Sequence, residues 1–276
     1  MSVLYIVATP MGNLEDITMR AVRILKEVDL IAAEDTRHSK RLLTHYGITT
    51  PMVSCHEHNE VQKTQDLIAR LKAGKTIALI SDAGTPLISD PGYRLVLGVA
   101  EQNISVVPIP GCNAGIAGLS ASGLPTDSFL FCGFPPKKQI QQSKTLAQLK
   151  SQTATLIFYE SPKRIKVLVQ RSIQVLGNRR ACVAREITKR HEEFIRGSLS
   201  DIFKDLDSRD QVKGECVLII HGATESKTEI SSKELDELIK ARLTPDTKTG
   251  ALAKELSISL DLPKKQIYDA IIAIKN

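Results

Sequence analysis

With 276 residues, 42% hydrophobic and 25% charged, the chain has the composition of an ordinary globular protein and length enough for two domains. No run approaches the roughly 20 apolar residues needed to cross a bilayer. Met1-Ser2-Val3-Leu4-Tyr5 lacks the basic start and cleavage site of a secretion signal, so a cytoplasmic protein is expected. The net charge of +6 favours a polyanionic partner such as RNA, while 4% aromatic residues and no Trp argue against an extended base-stacking platform.

Five cysteines (Cys55, Cys112, Cys132, Cys182 and Cys216) are scattered and form no C-x-x-C pair, which argues against a disulfide framework or a structural zinc.

In chain order, Val3–Ala8 reads as a β-branched strand, followed by a Pro/Gly loop. Asp16 is predicted to N-cap a helix with Ile17, Ala21, Ile24, Leu25 and Val28 on one face. Leu30–Ala33 is a second strand, and a polar helix spans about Val61–Leu71. Thr76–Ser81 is a strand, Arg94–Ala100 a helix and Ser105–Ile109 a strand. This repeated β-loop-α order predicts a parallel, doubly wound sheet in an α/β fold.

The turn-rich Ser120–Asp127 is a candidate hinge, giving an N-terminal α/β domain over 1–120 and a second over 121–222. The second holds strands at Phe129–Cys132, Thr155–Tyr159, Ala181–Arg185 and Glu215–His221, with a helix at Pro162–Leu176. Ala223–Ser232 is a polar linker to a third, helical domain over 233–276. There, Lys233–Arg242, Thr247–Leu256 and Pro263–Ile274 read as a helix-turn-helix-like unit. Its core is Ala251, Leu252, Leu256, Ile267, Ala270 and Ile271, and its loop is Asp261-Leu262-Pro263. Lys264 and Lys265 open the last helix, where a recognition helix makes its contacts.

Ligands of open α/β sheets bind beyond the carboxyl ends of the strands. Four such ends carry Ala8-Thr9-Pro10-Met11-Gly12-Asn13, Glu34-Asp35-Thr36-Arg37, Ser81-Asp82-Ala83-Gly84-Thr85-Pro86 and Pro110-Gly111-Cys112-Asn113-Ala114. None is a dinucleotide fingerprint or a P-loop. Each pairs small residues, which let a ligand approach the backbone, with a polar side chain, and together they point to a nucleoside-like ligand.

These segments, with G-F-P-P-K, Y-E-S-P-K-R, R-E-I-T-K-R-H-E-E and V-K-G-E downstream, closely resemble the 16S rRNA (cytidine 2′-O) methyltransferases of the tetrapyrrole-methylase superfamily, over essentially the whole chain. Cys112-Asn113 stands where Pro-Ser is commoner, and Pro135 where Leu is usual. The resemblance implies two α/β domains of tetrapyrrole-methylase-like fold with S-adenosylmethionine between them. It also implies a homodimer, an appended helix-turn-helix, and a decoding-centre cytidine of the assembled small ribosomal subunit as substrate. Carried over position by position, the cofactor residues fall on Pro10, Met11, Asp82, Ala83, Gly84, Thr85, Asn113 and Ala114, and in the second domain on Tyr159, Ala184 and Gly214.

Asp82 suits ribose hydroxyls or a cationic group, but an Asx-turn after a strand would use the same residue. Methyl transfer to a ribose hydroxyl needs alignment and a proton acceptor, and no metal. Asp35, Glu160 and Glu186 are candidate acceptors, with Lys189 a further one if burial lowers its pKa. Arg37, Arg164, Arg185 and Lys189 are candidate phosphate ligands. An ion-pair network of Arg185, Glu186, Glu192 and Glu193 is the structural alternative. His56 and His58 lack a third metal ligand and read as an RNA contact or a polar loop. Two other functions compete: a same-fold methyltransferase acting on a tetrapyrrole or a diphthine precursor, and a nucleic-acid-binding regulator with a ligand-sensing α/β domain.

Overall fold

The computed structural model describes residues 2–224, 232–244, 247–260 and 262–275, the side chain of residue 258 excepted. The chain divides into two compact units, Met1–Ala223 and Thr224–Asn276. Most of the polar linker read at Ala223–Ser232, and Asp261 of the last loop, lie outside the described residues.

The first unit opens with β1 (Val3–Val7), which leads into the Pro10/Gly12 loop. A 3-10 turn, Leu14–Asp16, precedes α1 (Met19–Glu27), and the cap of α1 is Thr18 rather than the expected Asp16. Thr18 Oγ1 accepts from the Ala21 N–H at 3.0 Å, while Asp16 is consumed by the preceding turn. Then follow β2 (Leu30–Ala33), α2 (Thr36–His45), β3 (Met52–Ser54), α3 (Glu60–Lys72), β4 (Thr76–Ile80), α4 (Tyr93–Glu101) and β5 (Ser105–Ile109). The strands form one sheet in the order β3-β2-β4-β1-β5, parallel throughout, as the β-loop-α repeat predicts.

Helix α5 (Ala114–Ser122) leaves this sheet and packs on a second one. That sheet comprises β6 (Phe129–Gly133), β7 (Thr155–Glu160), β8 (Arg180–Arg185), β9 (Glu193–Ser198) and β10 (Cys216–Ile220), in the order β6-β7-β10-β8-β9. Gly118 allows the approach, since a Cβ there would lie 3.2 Å from Ile219 Cδ1 and 3.6 Å from Ala184 Cβ. The opposite face is covered by α6 (Gln139–Gln148), α7 (Ile165–Leu176) and α8 (Leu199–Asp207) around Phe158, Leu168, Leu218 and Ile202. Here the parallel expectation fails: only β6–β7 is parallel. The short segment between β8 and β9 cannot span a parallel crossover, which needs a dozen or more residues. Helix α7 starts at Ile165, because Pro162–Arg164 form a turn ahead of it.

The second unit is three helices, α9 (Ser232–Arg242), α10 (Thr249–Leu260) and α11 (Lys264–Lys275). Leu235, Ile239, Leu252, Ala253, Leu256, Ile267 and Ile271 form its core. Ala251, expected inside, is exposed, and Ala253 takes the buried position. Lys264 and Lys265 are exposed at the start of α11.

Candidate active site

Strand β1 lies between β4 and β5, so the loops after β1 and β4 leave the sheet side by side. They are tied there: Thr9 and Gly84 exchange backbone hydrogen bonds of 2.9 Å each way, and Thr9 Oγ1 donates to the Ser81 carbonyl at 3.1 Å. Gly84 has φ 81, the left-handed region where a side chain is strained. The turn thereby brings Ala83 and Asp82 to the edge of a cavity of about 600 Å³. Its walls include Pro10, Met11 and Gly12 of the first loop, Asp82 and Ala83 of the second, and His38 and Arg41 of α2. Lys189 and Glu215 line it from the second-sheet half of the unit. The size is that of a small-ligand site.

Asp82 is fixed by its neighbour loop. Its Oδ1 accepts from the Asp35 N–H at 3.1 Å, and its second oxygen carries no hydrogen bond among the described residues. Behind it, Glu34 Oε2 accepts from the Asp82 N–H at 3.4 Å, and burial raises the Glu34 pKa. Burial also pushes Asp90 up to about 6, with Glu34 and Asp82 adding to the effect and a hydrogen bond from Ser81 opposing it.

On the far side of Gly84, Thr85 Oγ1 donates to the Cys112 carbonyl at 2.8 Å, joining this loop to the one before α5. Asn113 caps α5, its Oδ1 accepting from the Ile116 N–H at 3.0 Å. The Tyr159 hydroxyl accepts from the Gly115 N–H at 3.0 Å, and Ala114, Tyr159 and Ala184 share one apolar cluster. The expected cofactor residues thus form two groups. Pro10, Met11, Asp82 and Ala83 line the cavity, with Gly84 and Thr85 continuing their loop; Asn113, Ala114, Tyr159 and Ala184 gather around α5 and do not line it.

Gly214 serves a neighbour. With φ 85, it leaves room for Glu186, whose Cδ would lie 2.2 Å from a Cβ at 214. Glu186, itself left-handed at φ 52, bonds Lys189 Nζ through Oε1 at 2.8 Å, and Glu215 bonds the same ammonium at 2.7 Å. Burial alone would raise Glu186, but Lys189 and the Glu215 N–H outweigh it and hold the carboxylate below its usual range. For Lys189 burial works downward, yet the two carboxylates drive its pKa up. The premise that burial makes Lys189 a base is therefore reversed: it is a held cation. Leu87 (φ 72), Ser89 (φ 69) and Thr188 (φ 68) are also left-handed, so the loops carrying Asp90 and Lys189 store backbone strain, about 1–3 kcal/mol per residue.

Three expected cleft residues face elsewhere. Side chains alternate along a strand, and Ile157 and Tyr159 of β7 pack toward α5, so Glu160 points to the face covered by α6–α8. There it flanks Cys216, which also faces Arg185 in register. Glu160 is buried, and its Oε1 accepts from Arg164 Nε at 2.8 Å. Arg185 bonds Glu193 at 2.9 Å, and Arg209 holds the Glu193 carboxyl down at about 2. Glu160 and Arg185 thus stand on one face of the second sheet, with Arg164 reaching Glu160 from the turn ahead of α7, and none of the three lines the cavity. Glu192 stands apart from them, accepting from the Thr188 N–H at 2.7 Å.

Asp35 caps α2, and Arg37 binds it through both side chain and backbone, holding its carboxyl down at about 2, which makes it a poor base. Arg37 remains exposed at 91% of its side chain. His56 does not line the cavity; its N–H donates to Asn59 Oδ1 at 2.9 Å, shaping the loop before α3. Among the described residues no group of three or more His, Cys, Asp or Glu side chains is placed to hold a metal ion, and no helix is long and apolar enough to cross a membrane. Sequence reasoning missed Glu34, His38, Arg41, Glu215 and the partly buried carboxyl of Asp90. Only Glu34 and Glu215 sit at strand ends, where position signals a site.

Two sheets, a helix carried between them and loops tied at the β1/β4 switch define a methylase of the tetrapyrrole type. The family model for Tetrapyrrole (Corrin/Porphyrin) Methylases matches residues 3–202, and the chain belongs to that family. Within it, the chain is similar to proteins named Ribosomal RNA small subunit methyltransferase I. That of Halalkalibacterium halodurans is 45% identical over 270 residues, covering 96% of this chain and 93% of the relative. That of Synechocystis sp. is 44% identical, covering 100% and 99%, and that of Pasteurella multocida 48% identical, covering 92% of each. Among solved structures, uroporphyrin-III-C-methyltransferase from Thermus thermophilus matches with TM-score 0.57 at 19% identity, over 80% of this chain and 94% of that one. Diphthine synthase matches with TM-score 0.60 at 16% identity, over 81% and 91%. These structures share the fold.

Proposed function

We propose that the chain transfers the methyl group of S-adenosylmethionine to the ribose 2′-hydroxyl of a decoding-centre cytidine in 16S rRNA of the small ribosomal subunit, working in the cytoplasm as a homodimer. The observation that carries this reading is the near full-length similarity to relatives named for small-subunit ribosomal RNA methylation.

The cofactor fits what the chain offers. The cavity has the volume for a nucleoside, Met11 and Ala83 give it apolar walls, and Asp82 presents an oriented carboxylate with one oxygen to spare for ribose hydroxyls. Glu186 and Glu215 are taken up by Lys189, which leaves Asp82 as the carboxylate open to the ligand. When bound, S-adenosylmethionine supplies an electrophilic methyl group on a sulfonium. The residues around it align the incoming hydroxyl, and alignment is the main lever on an in-line displacement.

Glu34, which does not itself line the cavity, positions Asp82 by accepting from its N–H at 3.4 Å. Lys189, kept charged by Glu186 and Glu215, stabilises the developing oxyanion. Arg37 contacts RNA phosphate, and Lys264 and Lys265 of the helical unit add further contacts. In domain terms, residues 1–120 supply the cavity loops, 121–222 the Lys189 side, and 233–276 an RNA-binding module.

The test is incubation with labelled S-adenosylmethionine and unmodified small subunits, then mapping of the product by mass spectrometry. A methyl group on one cytidine ribose supports the reading. No label on rRNA, with transfer when a tetrapyrrole or a diphthine precursor is supplied in place of the subunits, replaces it.

A further inference from the structure

Resting on that RNA reading, we propose that α1 and α2 form a docking strip for the unpaired RNA beside the target nucleotide, with phosphates along α2 and one base in the groove between the helices.

Helix α2 carries Arg37, His38, Lys40, Arg41 and His45 and no acidic residue. Its buried side is Ser39, Leu42 and Leu43, so helical spacing turns all five basic residues outward, and all five are exposed. Among the described residues no carboxylate pairs with Lys40 or Arg41. His38 and Arg41 also line the cavity, so the stripe starts at its mouth and runs outward along the helix.

Beside it lies a groove of about 470 Å³ lined by the apolar Ile17, Val22 and Tyr46 with Met19 and Lys26, and by Arg23, which is paired with Glu27 of the same groove at 2.8 Å. Met19 is 90% exposed, so its side chain is free to meet a ligand of this groove. The groove neighbours the cavity: the Tyr46 hydroxyl, on the groove wall, donates to the carbonyl of Leu14, a cavity wall, at 2.6 Å. A cationic stripe for phosphates next to one apolar slot with an aromatic side is the arrangement that recognises single-stranded RNA. The stripe reaches the cavity through His38 and Arg41 and carries no acidic residue, which favours a polyanion, RNA, over a protein segment.

The test uses the full chain with Met19→Glu, Lys26→Glu and Lys40→Glu, singly and together, and Lys204→Glu in α8 as a control that matches the charge change of each single lysine variant. None of these residues lines the cavity. Affinity for unmodified small subunits is measured by filter binding across a salt series, and cofactor affinity by calorimetry. The combined variant is expected to lose on the order of tenfold or more in subunit affinity and to flatten the salt dependence by about one unit of slope, with cofactor affinity and the Lys204→Glu control unchanged. A photo-crosslinker placed at Met19 is expected to yield an adduct that ribonuclease shortens to the protein carrying a nucleotide remnant, identified by mass spectrometry. Wild-type subunit affinity in the combined variant overturns the strip, as does a crosslink to a ribosomal protein. If wild type methylates no rRNA, the underlying reading fails and the strip with it; if wild type methylates rRNA and the variants bind normally, the strip alone fails.

Discussion

Lys189 lies across Gly12. A Cβ at residue 12 would meet Lys189 Cγ at 2.3 Å, so the first loop of the chain and a loop nearly two hundred residues later share one packed contact at the cavity wall. The contact is with the root of the side chain rather than its mobile tip, so Lys189 cannot sidestep a methyl group without leaving Glu186 and Glu215. Gly12→Ala is therefore expected to lower methyl transfer by about 10²-fold through misplacement of that ammonium, with little change in melting temperature. Single-turnover rates against thermal melts check this; undiminished turnover would remove Lys189 from the chemistry.

Glu60, at the start of α3, holds the far end of the Asp82 loop. Its Oε1 accepts from the Gly92 N–H at 3.0 Å and the Arg94 N–H at 3.1 Å. Glu60→Ala leaves two donors without an acceptor and is expected to cost about 2 kcal/mol or more in urea unfolding. It also weakens cofactor affinity by loosening the loop. Glu60→Gln keeps the acceptor oxygen and recovers most of both effects.

Asp90 gives a pH signature. Its folded pKa of about 6 lies above its ordinary value of 3.8, so the folded state binds the proton more tightly and loses stability as pH rises through that window. Asp90→Asn is expected to raise the melting temperature at pH 8, where the native carboxylate is charged beside Asp82 and Glu34. The gain should shrink as pH falls and vanish below the ordinary value of 3.8, where the carboxyl is protonated in the folded and unfolded chains alike. A gain independent of pH would contradict the burial argument.

Asn113 separates capping from ligand binding. Asn113→Ala removes the α5 cap and is expected to cost about 1 kcal/mol, and Asn113→Ser restores it. Chemical denaturation of the two variants decides the matter, and an equal loss in both would mean the amide matters for more than the cap.

How much of this was legible in the sequence follows from pattern strength. Leu30–Ala33 and Ser105–Ile109 appear with the boundaries that their apolar, β-rich runs predict. Helix α5, Ala-Gly-Ile-Ala-Gly-Leu-Ser-Ala-Ser, went unread because small residues on all sides leave no apolar stripe; it is buried by topology. Helix α2 was missed because Leu42 and Leu43 are its only large buried apolar residues. The strand-end loops did signal the cavity. Tyr159 and Glu160 were both placed in the cleft, although strand alternation alone forbids two neighbours to share a face. His38 and Arg41 reach the cavity only through the packing of α2, which no local pattern encodes.

The central claim is that the cavity closed by Met11, Asp82 and Ala83 holds S-adenosylmethionine, and calorimetric titration of that compound into wild type and Asp82→Ala tests it most directly. Saturable binding by wild type and no detectable heat from an equally well-folded Asp82→Ala protein is the predicted result. Equal affinity in the two proteins would place the methyl donor somewhere else.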